Sequence, residues 1–181
     1  MIQYDDGIAA VDTEYVRPQH DASHLIIENG RAAFIDTGTN HSLPLLVDAL
    51  GQQDLDVGDV DYVIVTHVHL DHAGGAGSLM QAFPNATCVV HPRGAPHMAD
   101  PSKLYAATIA VYGEDRTRQM YGDIVPIDEA NPEPPALTLW HAGLECCDKE
   151  WEAAYSSFET PDEEMSKFTA RFRRLGVDRL S

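Results

Sequence analysis

The segment Thr66-His67-Val68-His69-Leu70-Asp71-His72 constrains this chain more than any other. Directly before it runs Val60-Asp61-Tyr62-Val63-Ile64-Val65-Thr66, mostly apolar and β-branched, which reads as a buried strand delivering a loop. Three imidazoles and one carboxylate then fall within six residues. Alternate residues at a strand end can point to one side. His67 and His69 can therefore close on one ion, while Asp71 and His72, after the chain turns, can face a neighbouring ion.

Neutral imidazole nitrogen and carboxylate oxygen are ligands that zinc accepts. A catalytic zinc keeps one position open for water and lowers its pKa to about 7, so a hydroxide nucleophile is available at neutral pH. Asp71 is placed to orient the attacking oxygen or to handle its proton. The expected cofactor is Zn2+, one or two ions per chain, other divalent metals being chemically compatible with the same ligands.

The rest of the chain frames this loop. His24-Leu25-Ile26-Ile27-Glu28 and Ala32-Ala33-Phe34-Ile35-Asp36 read as strands joined through Asn29-Gly30, a strong hairpin signal, so the chain opens as a β-meander. Leu43, Leu46, Val47 and Leu50 have helical spacing, with Pro44 near the first turn and Gly51 at the end. Ala73-Gly74-Gly75-Ala76-Gly77 permits close backbone approach, Ser78 to Phe83 reads as a short helix, and Thr87 to His91 as a strand. Pro92 to Pro101 has a loop's composition, Ser102 to Val111 a helix's, and Pro126 to Pro135 that of a turn-bearing linker. Further on, Trp151, Ala154, Tyr155 and Phe158 share a helical face, and Thr160, Pro161 and Glu163 start a second amphipathic helix that Gly176 stops.

Composition excludes some partners. Twelve Lys and Arg against 29 Asp and Glu give a net charge of −17, which repels nucleic-acid backbones and anionic membranes. Between Asp128 and Glu164 eleven acids face one base, Lys149, a stretch most simply read as a solvated face. No basic, apolar leader opens the sequence and no apolar run is long enough to span a bilayer, so a cytoplasmic location is the expectation. Cys88, Cys146 and Cys147 read as reduced structural thiols. His91 and His97 read as loop anchors and Arg93 as a surface residue. Tyr105, Tyr112 and Tyr121 suit core packing as well as a substrate-facing lining.

Thr66 to Gly75, with Ile35-Asp36-Thr37-Gly38 upstream, resembles the signature loop and the preceding strand end of the metallo-β-lactamase superfamily. The resemblance implies an α/β (α+β) fold, an αββα sandwich with metal at one edge of its packed sheets. It also implies His67 and His69 as ligands of a first metal, Asp71 and His72 of a second, and Asp36 as support behind them. The family's later segment, which supplies another histidine, has its counterpart at His141 in Leu139-Trp140-His141-Ala142-Gly143-Leu144-Glu145, although Leu144 stands where a further histidine would follow. The resemblance covers residues 1–130, the metal-binding core. Residues 131–181 read as an acidic linker and a helical extension of the same domain, which leaves the sandwich incomplete and finished by amphipathic helices.

Two functions are compatible with this pattern. The first is a zinc-dependent hydrolase acting on a small molecule, opening an ester, thioester, lactone or β-lactam-like bond by attack of metal-bound hydroxide on the carbonyl. The alternative is a truncated or degenerate metal-binding or interaction module without hydrolase activity, self-associated as a homodimer.

Overall fold

Seven strands pair in sequence order into one sheet: β1 (Ile2–Gln3), β2 (Ile8–Asp12), β3 (Ala22–Glu28), β4 (Arg31–Ile35), β5 (Val60–Val65), β6 (Thr87–Val90) and β7 (Leu137–Leu139). The structure is a computed structural model that describes residues 1–127 and 137–139, all within one unit running from Met1 to Trp140. Strands β1 to β4 are antiparallel and β4 to β7 parallel. Asn29 and Gly30 take φ values of 51° and 75°, the left-handed pair that a two-residue I′ turn needs, and they set the register from Glu28↔Arg31 to His24↔Ile35.

Parallel neighbours need long crossovers. Helix α1 (Leu43–Gly51) joins β4 to β5; α2 (Leu70–Ala73) and α3 (Ala76–Ala82) join β5 to β6; and α4 (Ala95–Ala99), α5 (Ser102–Tyr112) and α6 (Glu114–Tyr121) follow β6. Alternation along the strands sends Val11, Leu25, Phe34, Val63, Val65, Cys88 and Val90 to one face, where they form a single core with Leu46 and Leu50 of α1, Leu79 and Met80 of α3, and Met98 of α4. Phe34 and Phe83 stack at its centre with ring centroids 5.6 Å apart. Among the described residues this is one sheet with helices packed on one face, an α/β layer pair of the expected sandwich. None of the helices there is long and apolar enough to cross a membrane.

Several boundaries move. Residues expected as loop between Pro92 and Pro101 contain α4, because Gly94 accepts the first helical bonds and Ala95 and Met98 gain burial in the core. α1 keeps its expected end at Gly51, with a cap at Gln52, and the left-handed residue comes later, at Asp54 with φ 57°. Asp36 and Thr66 lie just beyond β4 and β5 rather than inside them. β1, β2 and α6 lacked a specific sequence signal. Most of the Pro126–Pro135 linker, both amphipathic helices beyond it and His141 lie outside the described residues.

Cys88 is fully buried in this core, and burial pushes its thiol up to about 12. A thiol whose folded pKa exceeds its unfolded value of about 8.5 stabilises the fold below that unfolded value and loses the contribution as pH rises toward the folded one. Unfolding by urea between pH 8.5 and 11 is therefore expected to show a stability loss from this group approaching about 1.4 kcal/mol per pH unit. The slope should flatten in Cys88→Ala, while the contributions of the tyrosines remain common to both proteins.

Candidate metal centre

The C-terminal ends of parallel strands are where an open sheet leaves room for a ligand, and β4 and β5 both end in polar residues there. Asp36 leaves β4 in the left-handed region at φ 58°, a conformation aspartate tolerates better than most residues. It is fixed by its N–H donating to Ile64 O (2.8 Å) and by the Ser23 hydroxyl donating to its carbonyl (2.7 Å). This turn sends the buried carboxylate beneath the loop that follows β5. There Asp36 Oδ1 accepts from Thr66 N (2.8 Å), the Thr66 hydroxyl donates to both carboxylate oxygens (2.8 Å each), and His72 Nδ1 lies 3.0 Å from Oδ2.

The next residues clamp the backbone of α2. Thr37 donates from N (2.6 Å) and Oγ1 (2.9 Å) to the His72 carbonyl. Gly75 N in turn reaches Thr37 Oγ1 (3.2 Å) and Gly38 O (3.1 Å). Leu70 and Ala73 bury the core side of this short helix, so Asp71 and His72 are left on its open side, their Oδ2 and Nε2 3.7 Å apart.

Proton counting fixes the tautomers. The single Thr66 hydroxyl proton is committed to Asp36, so the 3.1 Å contact between Thr66 Oγ1 and His67 Nδ1 requires the hydrogen on Nδ1 and leaves His67 Nε2 with a bare lone pair. His72 donates from Nδ1 to Asp36, which likewise frees its Nε2. Burial, then the nearby His72, lowers the pKa of His67 and keeps it neutral. The hydrogen bond to Asp36 raises the pKa of His72 against the opposing effect of burial.

His67 Nε2 and His69 Nδ1 lie 3.2 Å apart. Two nitrogens each about 2.0–2.1 Å from a tetrahedral zinc are separated by roughly 3.3–3.4 Å, so this pair already has the spacing of one ligand edge. The ring centroids of His67 lie 4.7 Å from His69 and 4.3 Å from His72, and donor atoms of Asp36, His67 and His72 fall within 4.8 Å of one another. The donor set fits zinc. The structure thus brings Asp36, His67, His69, Asp71 and His72 together. His91 anchors its own loop by accepting from Arg93 N (3.1 Å). Of the tyrosines noted in the sequence, Tyr121 is buried and Tyr112 exposed.

Two features near this strand end were missed from sequence. Thr66 stood inside the motif without a role, although a hydroxyl at the strand end beside a histidine was a readable signal. Tyr15, whose hydroxyl lies 2.6 Å from that of Tyr121, gave no signal, because the two are separated by most of the described chain.

Known proteins resemble this chain in sequence and in fold. N-acyl homoserine lactonases AttM of Agrobacterium fabrum and Azorhizobium caulinodans are 34% and 33% identical to this chain, over 39% and 41% of it and 31% and 32% of their own length. The matching part thus spans about a third of these relatives. Among solved structures, the FEZ-1 metallo-beta-lactamase of Legionella gormanii overlays with a TM-score of 0.52 at 18% identity, covering 70% of this chain and 44% of that one. BJP-1, a subclass B3 metallo-beta-lactamase of Bradyrhizobium japonicum, overlays at 0.51 and 21%, covering 76% and 44%. At these identities the likeness is one of fold. A sequence profile of the metallo-beta-lactamase superfamily matches residues 17–149, taking in both strand ends, the histidine loop and His141. With that match over most of its length, and a mixed sheet carrying the histidine loop at its parallel strand ends, this chain belongs to the metallo-beta-lactamase superfamily.

Proposed function

We propose that this chain is a zinc-dependent hydrolase that opens a lactone or a related carboxylic ester of a small molecule in the cytoplasm. The observation that carries this reading is the His67–His69 edge, spaced for one ion and held by Thr66 in the tautomer that presents Nε2. His67 and His69 would hold a first zinc, with Asp71 and His72 holding a second. His141 is the candidate for a further ligand, and residues 1–130 form the metal-binding core that 131–181 extend. Bound there, zinc supplies Lewis acidity, polarising a carbonyl and bringing the pKa of a water near neutrality.

The chain's own groups do the rest. Asp36, anchored by Thr66 and Ser23, accepts a hydrogen bond from Nδ1–H of His72 and so fixes the ring that must present Nε2. Asp71, partly exposed and 3.7 Å from that Nε2, is placed to accept a hydrogen bond from the attacking water and to hold its proton. The AttM relatives carry the name lactonase, which favours a cyclic ester over the thioester and β-lactam options.

Elemental analysis of protein purified without chelator is expected to give about two zincs per chain, together with hydrolysis of γ-butyrolactone followed by acid release. One weakly held metal or none, with no turnover, would favour the non-catalytic metal-binding module instead. Within this site Thr66→Val keeps the side-chain shape while deleting the donor to Asp36 and the acceptor for His67. Zinc affinity, measured by competition with a chromophoric chelator, is expected to fall roughly 10–100-fold.

A further inference from the structure

We propose that the Tyr15–Tyr121 pair is a substrate-positioning element of this site, presenting one unshared phenol proton to an oxygen of the bound lactone or ester. The inference rests on the hydrolase reading and adds to it a group that the zinc-ligand motif does not contain.

Both phenols arrive at the sheet edge that carries Asp36. Tyr15 lies in the loop of residues 13–21 between β2 and β3, whose first residue is held by the Ser42 hydroxyl donating to Thr13 O (3.1 Å). Tyr121 ends α6, which is tied to the same segment by His41 Nε2 donating to Arg118 O (3.4 Å). Residues 41 and 42 follow Asp36-Thr37-Gly38 after two intervening residues, so the two tyrosines converge beside the strand end that supports His72. There the hydroxyls lie 2.6 Å apart, with ring centroids separated by 5.5 Å. On the outer side His20 stacks against Tyr15 at 5.8 Å with an interplanar angle of 7°.

The pair holds two hydroxyl protons and uses one. A single hydrogen bond joins the two oxygens, and no other described group bonds either of them, so one O–H remains to be given away. Burial is the main reason that both phenols titrate above the usual tyrosine range, and the nearby Asp71 carboxylate adds to the rise at each. Both therefore stay protonated donors throughout the range in which a hydrolase of this type works.

The bond is not needed to close the loop. Asp12 accepts from Glu14 N (2.9 Å) and Gln19 N (2.8 Å), and Thr13 N donates to Asp21 O (3.1 Å). These bonds fix the loop while Glu14, Val16 and Gln19 all sit at positive φ. A non-glycine loop held in so unfavourable a conformation, and closed at its base without the phenols, presents Tyr15 in a preorganised position.

The test uses the zinc-loaded full chain with Tyr15→Phe, Tyr121→Phe and the double variant. Zinc content should be unchanged and the thermal midpoint should stay within about 2 °C. kcat/KM for γ-butyrolactone should fall roughly ten- to a hundredfold in each single variant and little further in the double, because the two phenols deliver one proton together. A kcat/KM within about twofold of the parent would overturn the proposal and leave the pair as a brace. Loss of zinc from the variants would overturn it as well, since the effect would then run through the metal. Should the parent protein hydrolyse nothing, the hydrolase reading fails on its own, and binding of 4-hydroxybutyrate decides the role of the pair. A tyrosine absorbance difference on binding, present in the parent and absent from the double variant, supports it, and no difference in the parent sinks it.

Discussion

Alanine at His67 is expected to remove zinc from the site and to lower kcat/KM for lactone hydrolysis roughly a thousandfold or more, the several kcal/mol of transition-state stabilisation that a metal contributes. The geometry concentrates the effect on this residue. His67 supplies Nε2 to the 3.2 Å edge shared with His69, and its Nδ1 ties that edge through Thr66 to Asp36 and thence to His72. Removing the ring deletes one ligand and releases the other half of the edge. Stability should change little, because burial already disfavours the charged form of His67 and the ring sits at the rim of the core rather than within it. Asp36→Asn provides a graded comparison. Its single carbonyl oxygen cannot accept from Thr66 N, Thr66 Oγ1 and His72 Nδ1 together, so metal affinity should drop by roughly 10–100-fold. Zinc content by elemental analysis, read beside circular dichroism, separates the two effects. Full zinc and full turnover in His67→Ala would show that the chemistry lies elsewhere.

The hierarchy of these effects follows from how the fold builds the site. Each ligand-bearing segment is held by backbone that belongs to something else. Asp36 is tied to β3 through Ser23 and to β5 through Ile64, and α2 is tied to the β4 strand end through Thr37. The side chains that would hold metal, His67, His69, Asp71 and His72, are consequently the partly or fully exposed ones, while their supports, Asp36, Ser23 and Thr37, are buried. A site of this kind is preorganised by elements that the core stabilises. Catalytic defects can then be separated from folding defects by substituting the exposed layer alone.

What could be read from sequence was local, and what could not was nonlocal. Asn29-Gly30 determines its hairpin because the two residues themselves supply the left-handed conformations. The apolar run into His67 determines a strand followed by a loop because alternation and burial act over neighbouring residues. The loop composition of Pro92 to Pro101 misled for the opposite reason. Three prolines and a glycine can lie in or around a short helix when Ala95 and Met98 find a core to enter, and that core is assembled from α1, α3 and the sheet. The Tyr15–Tyr121 contact spans 106 residues, and no property of either segment announces the other. Within the site, ligand types and their order were legible, whereas the tautomers depend on Thr66 meeting Asp36 across 30 residues of chain. His141 and the two amphipathic helices lie outside the described residues.

Gly77→Ala is expected to destabilise the fold by about 3 kcal/mol, at the upper end of what overpacking costs, and to lower the thermal midpoint by roughly 6–12 °C for a chain of this size. Helix propensity alone argues the other way, since alanine in the middle of a helix is favoured over glycine by up to about 1 kcal/mol. Packing decides the sign. Gly77 is buried in α3, and a Cβ there would lie 1.9 Å from the Val125 carbonyl oxygen and 2.6 Å from its carbon. These are backbone atoms of the segment that follows α6, held in place by Ile127 N donating to Met98 O (2.9 Å) and by the burial of Ile127. Either that segment or α3 has to retreat. Because α3 follows α2 after two residues, its displacement reaches the backbone that carries Asp71 and His72, so zinc affinity should weaken along with stability. Gly51→Ala is the matched control. It stands at the last turn of α1 with nothing within 4 Å of the added carbon, and there propensity is left to act alone, so the protein should gain up to about 1 kcal/mol. Chemical unfolding of the two variants side by side measures both signs. A Gly77→Ala protein as stable as its parent would mean that the close passage of residue 125 over α3 is not what fixes this edge of the core.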